Sequence, residues 1–122
     1  MNFISSIISS IIPSIISLLF KQYRGKIKNT LAVQGWHDNK WVRFTNICGE
    51  SIVLKKVIFQ YNCSIKDFYA GYIANSNDEF NIYFNYVNFT NHNVLFIIKC
   101  SIGNDNDRYC LVCRKGNHWI VQ

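Results

Sequence analysis

The amino-acid sequence predicts a mainly β protein behind one N-terminal hydrophobic α-helix. Three observations carry this. Segments rich in Val, Ile, Phe and Tyr alternate with clusters of Asn, Asp and Gly, the pattern of short strands joined by tight turns. Pro13 is the only proline, so no proline interrupts a strand in the rest of the chain. Met1 to Phe20 carry no charged side chain, and Lys21, Arg24, Lys26 and Lys28 follow at once. The expected organisation is a transmembrane helix over 1–20, a basic juxtamembrane collar over 21–28 and a two-sheet antiparallel β-sandwich over 29–122. A small β-barrel is the alternative fold.

Twenty helical residues rise about 30 Å, the thickness of a bilayer's hydrocarbon core. Eleven of the first twenty are large and apolar. At roughly −0.3 to −0.6 kcal/mol each, they favour insertion by roughly 3 to 7 kcal/mol before polar costs. Ser5, Ser6, Ser9, Ser10, Ser14 and Ser17 gather on one side at ~100° per residue, with isoleucines and leucines on the other. Such a polar face suits helix–helix contact, where small residues allow close approach and hydroxyls bond across. In a ring of protomers it would line a wet lumen. The collar's positive charge is retained on the cytoplasmic side. The expected topology is an N-terminus outside and a β-domain in the cytoplasm of a cell-membrane protein. A cleaved signal peptide, hence a secreted domain, is one alternative. It lacks the basic n-region and the small residues before a cleavage site. A surface-lying amphipathic helix and a soluble core helix are two more.

Strands are expected near 28–36, 41–47, 51–61, 66–73, 79–88, 93–101, 107–114 and 117–121. A short helix around Asp67-Phe68-Tyr69-Ala70 competes with the fourth. Phe80, Ile82, Phe84 and Tyr86 alternate with Glu79, Asn81, Tyr83 and Asn85, and so should face inward. In 51–61 the phase changes at Lys55-Lys56: Ile52 and Leu54 share one parity, and Val57, Phe59 and Tyr61 the other. That predicts a β-bulge or a break. Residues 94–98 are apolar at every position, the mark of a central strand.

The net charge of +6 does not predict a nucleic-acid partner. Four of the thirteen basic residues lie in the collar, leaving nine against seven acids, or +2, for residues 29–122. No basic stripe emerges. The collar instead suits anionic lipid headgroups. No catalytic or metal-binding motif stands out, and no cofactor or small-molecule substrate is expected. Cys110-Leu111-Val112-Cys113 reads as strand, where positions i and i+3 point to opposite faces and cannot converge on one ion. Cys63 and Cys100 read as small core residues, and five cysteines do not make a fully paired disulfide set. His37, His92 and His118 lie at turns or strand edges. Gly103 to Asp107 lacks the twelve-residue calcium pattern. Trp36, Trp41 and Trp119 are either core residues or an exposed aromatic patch for a partner.

Residues 3–20, Lys21 to Lys28 and Trp41-Val42-Arg43-Phe44-Thr45-Asn46-Ile47-Cys48-Gly49-Glu50-Ser51-Ile52-Val53-Leu54 together resemble a loose class of small bacterial membrane proteins. These have one hydrophobic helix, a basic stretch, then an immunoglobulin-like domain that opens strand, Asn-x-x-Gly turn, aliphatic strand. The resemblance implies a non-enzymatic, single-pass membrane protein whose β-sandwich binds a protein partner or self-associates as a homo-oligomer. The chain is also similar to membrane-anchored β-domain effectors of anti-phage systems, which gives the rival reading, an oligomeric pore-forming or membrane-disrupting effector.

Overall fold

Period-two patterning becomes strand pairing over most of the described residues. The computed structural model describes residues 30–37, 40–88, 94–103 and 106–121. The opening helix, its six serines, the collar and His92 lie outside the described residues. Of the described residues 73% are strand, in two antiparallel sheets with the curl of a half-barrel. The strands are β1 (Leu31–His37), β2 (Trp41–Asn46), β3 (Ile52–Tyr61), β4 (Cys63–Lys66), β5 (Ile73–Ala74), β6 (Glu79–Val87), β7 (Val94–Ile102), β8 (Asn106–Lys115) and β9 (His118–Val121). One sheet runs β1-β2-β6-β4, the other β5-β3-β7-β8-β9. No helix long and apolar enough to cross a membrane occurs among the described residues.

The inner faces of both sheets share one core. Val42, Phe44, Ile82 and Phe84 from the first sheet meet Ile52, Leu54, Phe96, Ile98, Val112 and Trp119 from the second. Aromatic rings lock its centre: Trp119 stacks on Phe84 at 5.3 Å, and Phe96 stands edge-on to Phe84 at 5.7 Å and to Phe44 at 6.5 Å. Strand β7 occupies the middle of its sheet, and Val94 to Ile98 are all buried, as their unbroken apolar run predicts. Its alternate residues Leu95 and Ile97 join Leu111, Phe59 and Tyr61 in a second cluster, on the face away from the first sheet. At one rim Asp107 accepts ion pairs from Lys55 (3.0 Å) and Lys99 (3.4 Å), which hold its carboxyl below the usual range. These exposed pairs contribute no more than about 1 kcal/mol together and are screened by salt.

Two of the chain's crossings between sheets turn on an asparagine. Asn62 alone separates β3 from β4 and adopts φ 58°, so a long ribbon bends sharply from one sheet into the other. Asn46 makes the second corner. Its side chain is fully buried and fully bonded: Nδ2 donates to the carbonyls of Glu50 (2.7 Å) and Ala74 (2.9 Å), and Oδ1 accepts from the Cys48 N–H (3.0 Å). Gly49 completes the turn at φ 83°, which L side chains rarely adopt. The Asn46-Ile47-Cys48-Gly49 pattern is therefore a structural corner.

Three expectations need correction. The strand expected over 66–73 is two short strands separated by a loop. Asp67 (φ 51°) and Gly71 (φ 89°) take left-handed conformations that end pairing after Lys66, and neither strand nor helix forms over 67–72. Tyr86 points outward and is 54% exposed, because the β4–β6 register jumps between Tyr86 and Phe84 and leaves Asn85 as an extra residue. The bulge predicted at Lys55-Lys56 is present, with Lys55 unpaired, but a second one at Ile58 follows. Val57 thus pairs with Ile98 on the inner side, while Phe59 pairs with Ile97 on the outer side. Two compensating slips look like one phase change in the sequence.

Replacing Asn46 by Ala strands the buried Ala74 carbonyl and removes the bonds to the Glu50 carbonyl and the Cys48 N–H nearer the surface, which should cost about 2–4 kcal/mol in denaturant unfolding. Trp119→Ala should cost about 3–5 kcal/mol in the same measurement, whereas Trp36→Ala, at a site 41% exposed, should cost under about 1 kcal/mol.

Candidate functional site

The short β4 leaves part of β6 uncovered, and a groove forms there. Strand β6 pairs with β2 over Glu79 to Tyr83, but with β4 only from Tyr83 to Val87. The direction of its main-chain groups follows from two bonds outside the ladder: Asn46 N–H to the Asp78 carbonyl, and Phe84 N–H to the Lys40 carbonyl, both 2.9 Å. Even-numbered residues of β6 therefore face β2. In an antiparallel ladder the odd ones, Glu79, Asn81 and Tyr83, direct N–H and C=O to the opposite edge. Tyr83 meets Lys66 there. Glu79 and Asn81 lie beyond the end of β4, and no strand among the described residues pairs with them on that side.

The groove beside this edge measures about 550 Å³ and is lined by all of Glu79 to Tyr83. Its floor is apolar: Phe80 and Ile82 from β6, Leu54 from β3 and Phe68 from the 67–72 loop. The Tyr72 and Phe80 rings stand 5.8 Å apart. The loop is pinned as a roof. Leu54 N–H donates to the Tyr72 carbonyl (2.9 Å), and Gly71 N–H donates back to the Leu54 carbonyl (2.7 Å). Tyr69, on this roof, is 70% exposed. The rim is polar, with Lys66 and Asp67 at one end and Glu79 at the other. Arg43 lies across the outer face, donating from Nε to Asn81 Oδ1 (3.1 Å), with its guanidinium 5.1 Å from the centre of the Trp41 ring. Asn81 Nδ2 in turn donates to the Tyr83 hydroxyl (3.2 Å). The volume and the apolar floor with a few polar rim groups are those of a binding cleft.

The three tryptophans do not form one patch. Trp119 is 4% exposed and belongs to the core. Trp36 pairs with Val42 and Trp41 with His37, so the first two lie on opposite faces of the β1–β2 hairpin. The Trp36 ring stands edge-on to His118 at 5.5 Å, linking β1 to β9, and Trp41 carries Arg43. Cys110 lies in the inner core and Cys113 beside the outer cluster, so the CxxC residues face apart. Cys100 and Cys110 hydrogen-bond each other across β7 and β8. That bond, with Arg108 nearby, lowers the Cys100 thiol, while the same bond and burial push Cys110 well above its usual range. No group of three or more His, Cys, Asp or Glu side chains placed to hold a metal occurs among the described residues.

The groove residues were not singled out by sequence reasoning. Tyr69 and Tyr72 are aromatic residues beside a left-handed Gly71, a signal of an exposed aromatic loop. The free edge of β6 carries no such signal, since it arises from the early end of another strand.

Burial pushes the Cys63 thiol up to about 11 from 9.0, against a smaller lowering by a backbone bond at Tyr61. The folded state therefore holds this proton more tightly than the unfolded chain. Its stabilisation is complete below pH 9, shrinks as the unfolded thiol ionises, and is lost by about pH 11. Unfolding measured from pH 8 to 11 should show a larger loss in the native protein than in Cys63→Ala, which keeps only the loss from the other raised thiol, Cys110. No family model matches this chain, and the comparisons with curated proteins and with solved structures also return no match.

Proposed function

We propose that this chain is a non-enzymatic, single-pass membrane protein whose β-domain is a binding module in the cytoplasm. The groove along β6 carries the binding half of this reading. A cleft with an apolar floor, an open strand edge and an exposed tyrosine on its roof is built to hold something. Tyrosine supplies large contact area at low entropic cost. The anchor half rests on twenty charge-free residues followed by four cations. We read the domain as immunoglobulin-like. The orders β1-β2-β6-β4 and β3-β7-β8 match the ABED and CFG sheets of the constant type, with β5 and β9 as added edges. Where antibody domains join strands B and F by a disulfide, Phe44 of β2 meets Phe96 of β7.

Alkaline carbonate should leave the full chain in the membrane pellet. An impermeant maleimide should label the half-buried Cys48 only after permeabilisation. Release into the supernatant refutes the anchor, and labelling of intact cells reverses the orientation. A photo-crosslinking residue at Tyr69 should trap a partner in membranes that the same residue at Gln34, on β1, does not. Equal yield at both positions, or none at either, refutes a groove-centred binding role.

A further inference from the structure

We propose that the groove takes an extended peptide of another protein as an added strand on β6, antiparallel to it and in line with β4. This rests on the reading of the domain as a binding module and names what it binds. Three features on one edge support it. The first is the main chain: Glu79 and Asn81 direct N–H and C=O to the side where β4 has ended. An unpaired edge of this kind is a template for a further strand, and peptide recognition by strand addition uses it.

The second feature is the floor. A peptide in this register places alternate side chains opposite Phe80 and Ile82, toward Leu54 and Phe68. Those two positions are apolar. The third is charge. The peptide residue opposite Asn81 points outward, two positions along the strand line from Lys66 and beside the Arg43–Asn81 pair. An acidic side chain is favoured there. The next outward residue lies opposite Glu79, where a basic side chain is favoured. In chain direction the motif is apolar, acidic, apolar, basic, without proline, because proline lacks the N–H this edge accepts.

The roof selects a single strand over a second copy of this chain. Each copy's β6 edge lies beneath its own 67–72 loop, pinned to Leu54 on both sides of Tyr72. Two such edges cannot approach each other, whereas a four-residue strand needs only a slot about 13 Å long.

The test uses the full chain in phosphatidylcholine nanodiscs. The probe is the acetylated, dye-labelled peptide Val-Glu-Phe-Lys-Thr, read by fluorescence anisotropy. It should bind saturably. N-methylation of its Glu nitrogen, which removes one main-chain donor, should weaken binding about tenfold. Lys66→Glu, at an exposed position, should weaken it as well and favour Val-Lys-Phe-Lys-Thr instead. Amide exchange at Glu79 and Asn81 should slow on binding. Equal binding of the N-methylated peptide overturns strand addition. Saturable binding of oleate with no peptide binding assigns the groove to an acyl chain and overturns it too. Concentration-dependent self-association blocked by Lys66→Glu, with no peptide binding, assigns the edge to a second copy. Peptide failure with a persisting Tyr69 crosslink sinks this inference alone. Loss of the crosslink sinks the binding reading itself.

Discussion

The corner at Asn46 holds the two sheets in their relation. One amide side chain bonds the Glu50 carbonyl that follows it, the Cys48 N–H between them and the Ala74 carbonyl of the other sheet. Its own main chain bonds Asp78 and Asn77, and the next residue bonds Thr30. The segments around Thr30 and over 74–78 thus converge on the turn that follows Asn46. Each bond is modest, but leaving the buried Asn46 amide or the Ala74 carbonyl unpaired in the core is expensive. The position of β5 follows from Ala74, and the return of the 67–72 loop follows from β5. The roof of the groove is therefore tied to a residue that does not itself line the groove.

Departures from regular pairing shape the rest. The bulge at Lys55 frees a cation to reach Asp107, and the one at Ile58 sends Phe59 and Tyr61 to the outer face. The bulge at Asn85 turns Tyr86 outward while restoring Val87 to the core. Bulges re-aim side chains without ending a strand. Left-handed residues do end one. Asp67 stops β4 after four residues, and that stop leaves the β6 edge uncovered.

The strands and their order along the chain were legible because alternation is local: Val42-Arg43-Phe44 and Phe80 to Phe84 show their faces directly. Val94 to Ile98 announced a central strand because only burial on both sides tolerates five apolar residues in succession. The 66–73 segment misled because Phe68, Tyr69, Tyr72 and Ile73 have strand composition, while two positive-φ residues override it. The tryptophans were ambiguous because large aromatic residues serve cores and surfaces alike. Only their partners separate Trp119, stacked on Phe84, from Trp41, carrying Arg43. The cysteine pair at 110 and 113 was readable, since strand periodicity alone sets their faces apart.

The sequence by itself determined the mainly β class, the turns at 48–50, 75–78 and 115–117 and the parity of most core residues, because each of these depends on neighbours within a few positions. It also carried the charge-free opening stretch and its collar, which mark a segment by composition alone. The tertiary structure decided which strands share a sheet, which bulges flip a face and where an edge lies open. Those depend on pairings between residues up to about fifty positions apart, such as Lys55 with Asp107, and no local pattern encodes them. The groove belongs wholly to this second class, since it exists only where one strand stops and its neighbour runs on.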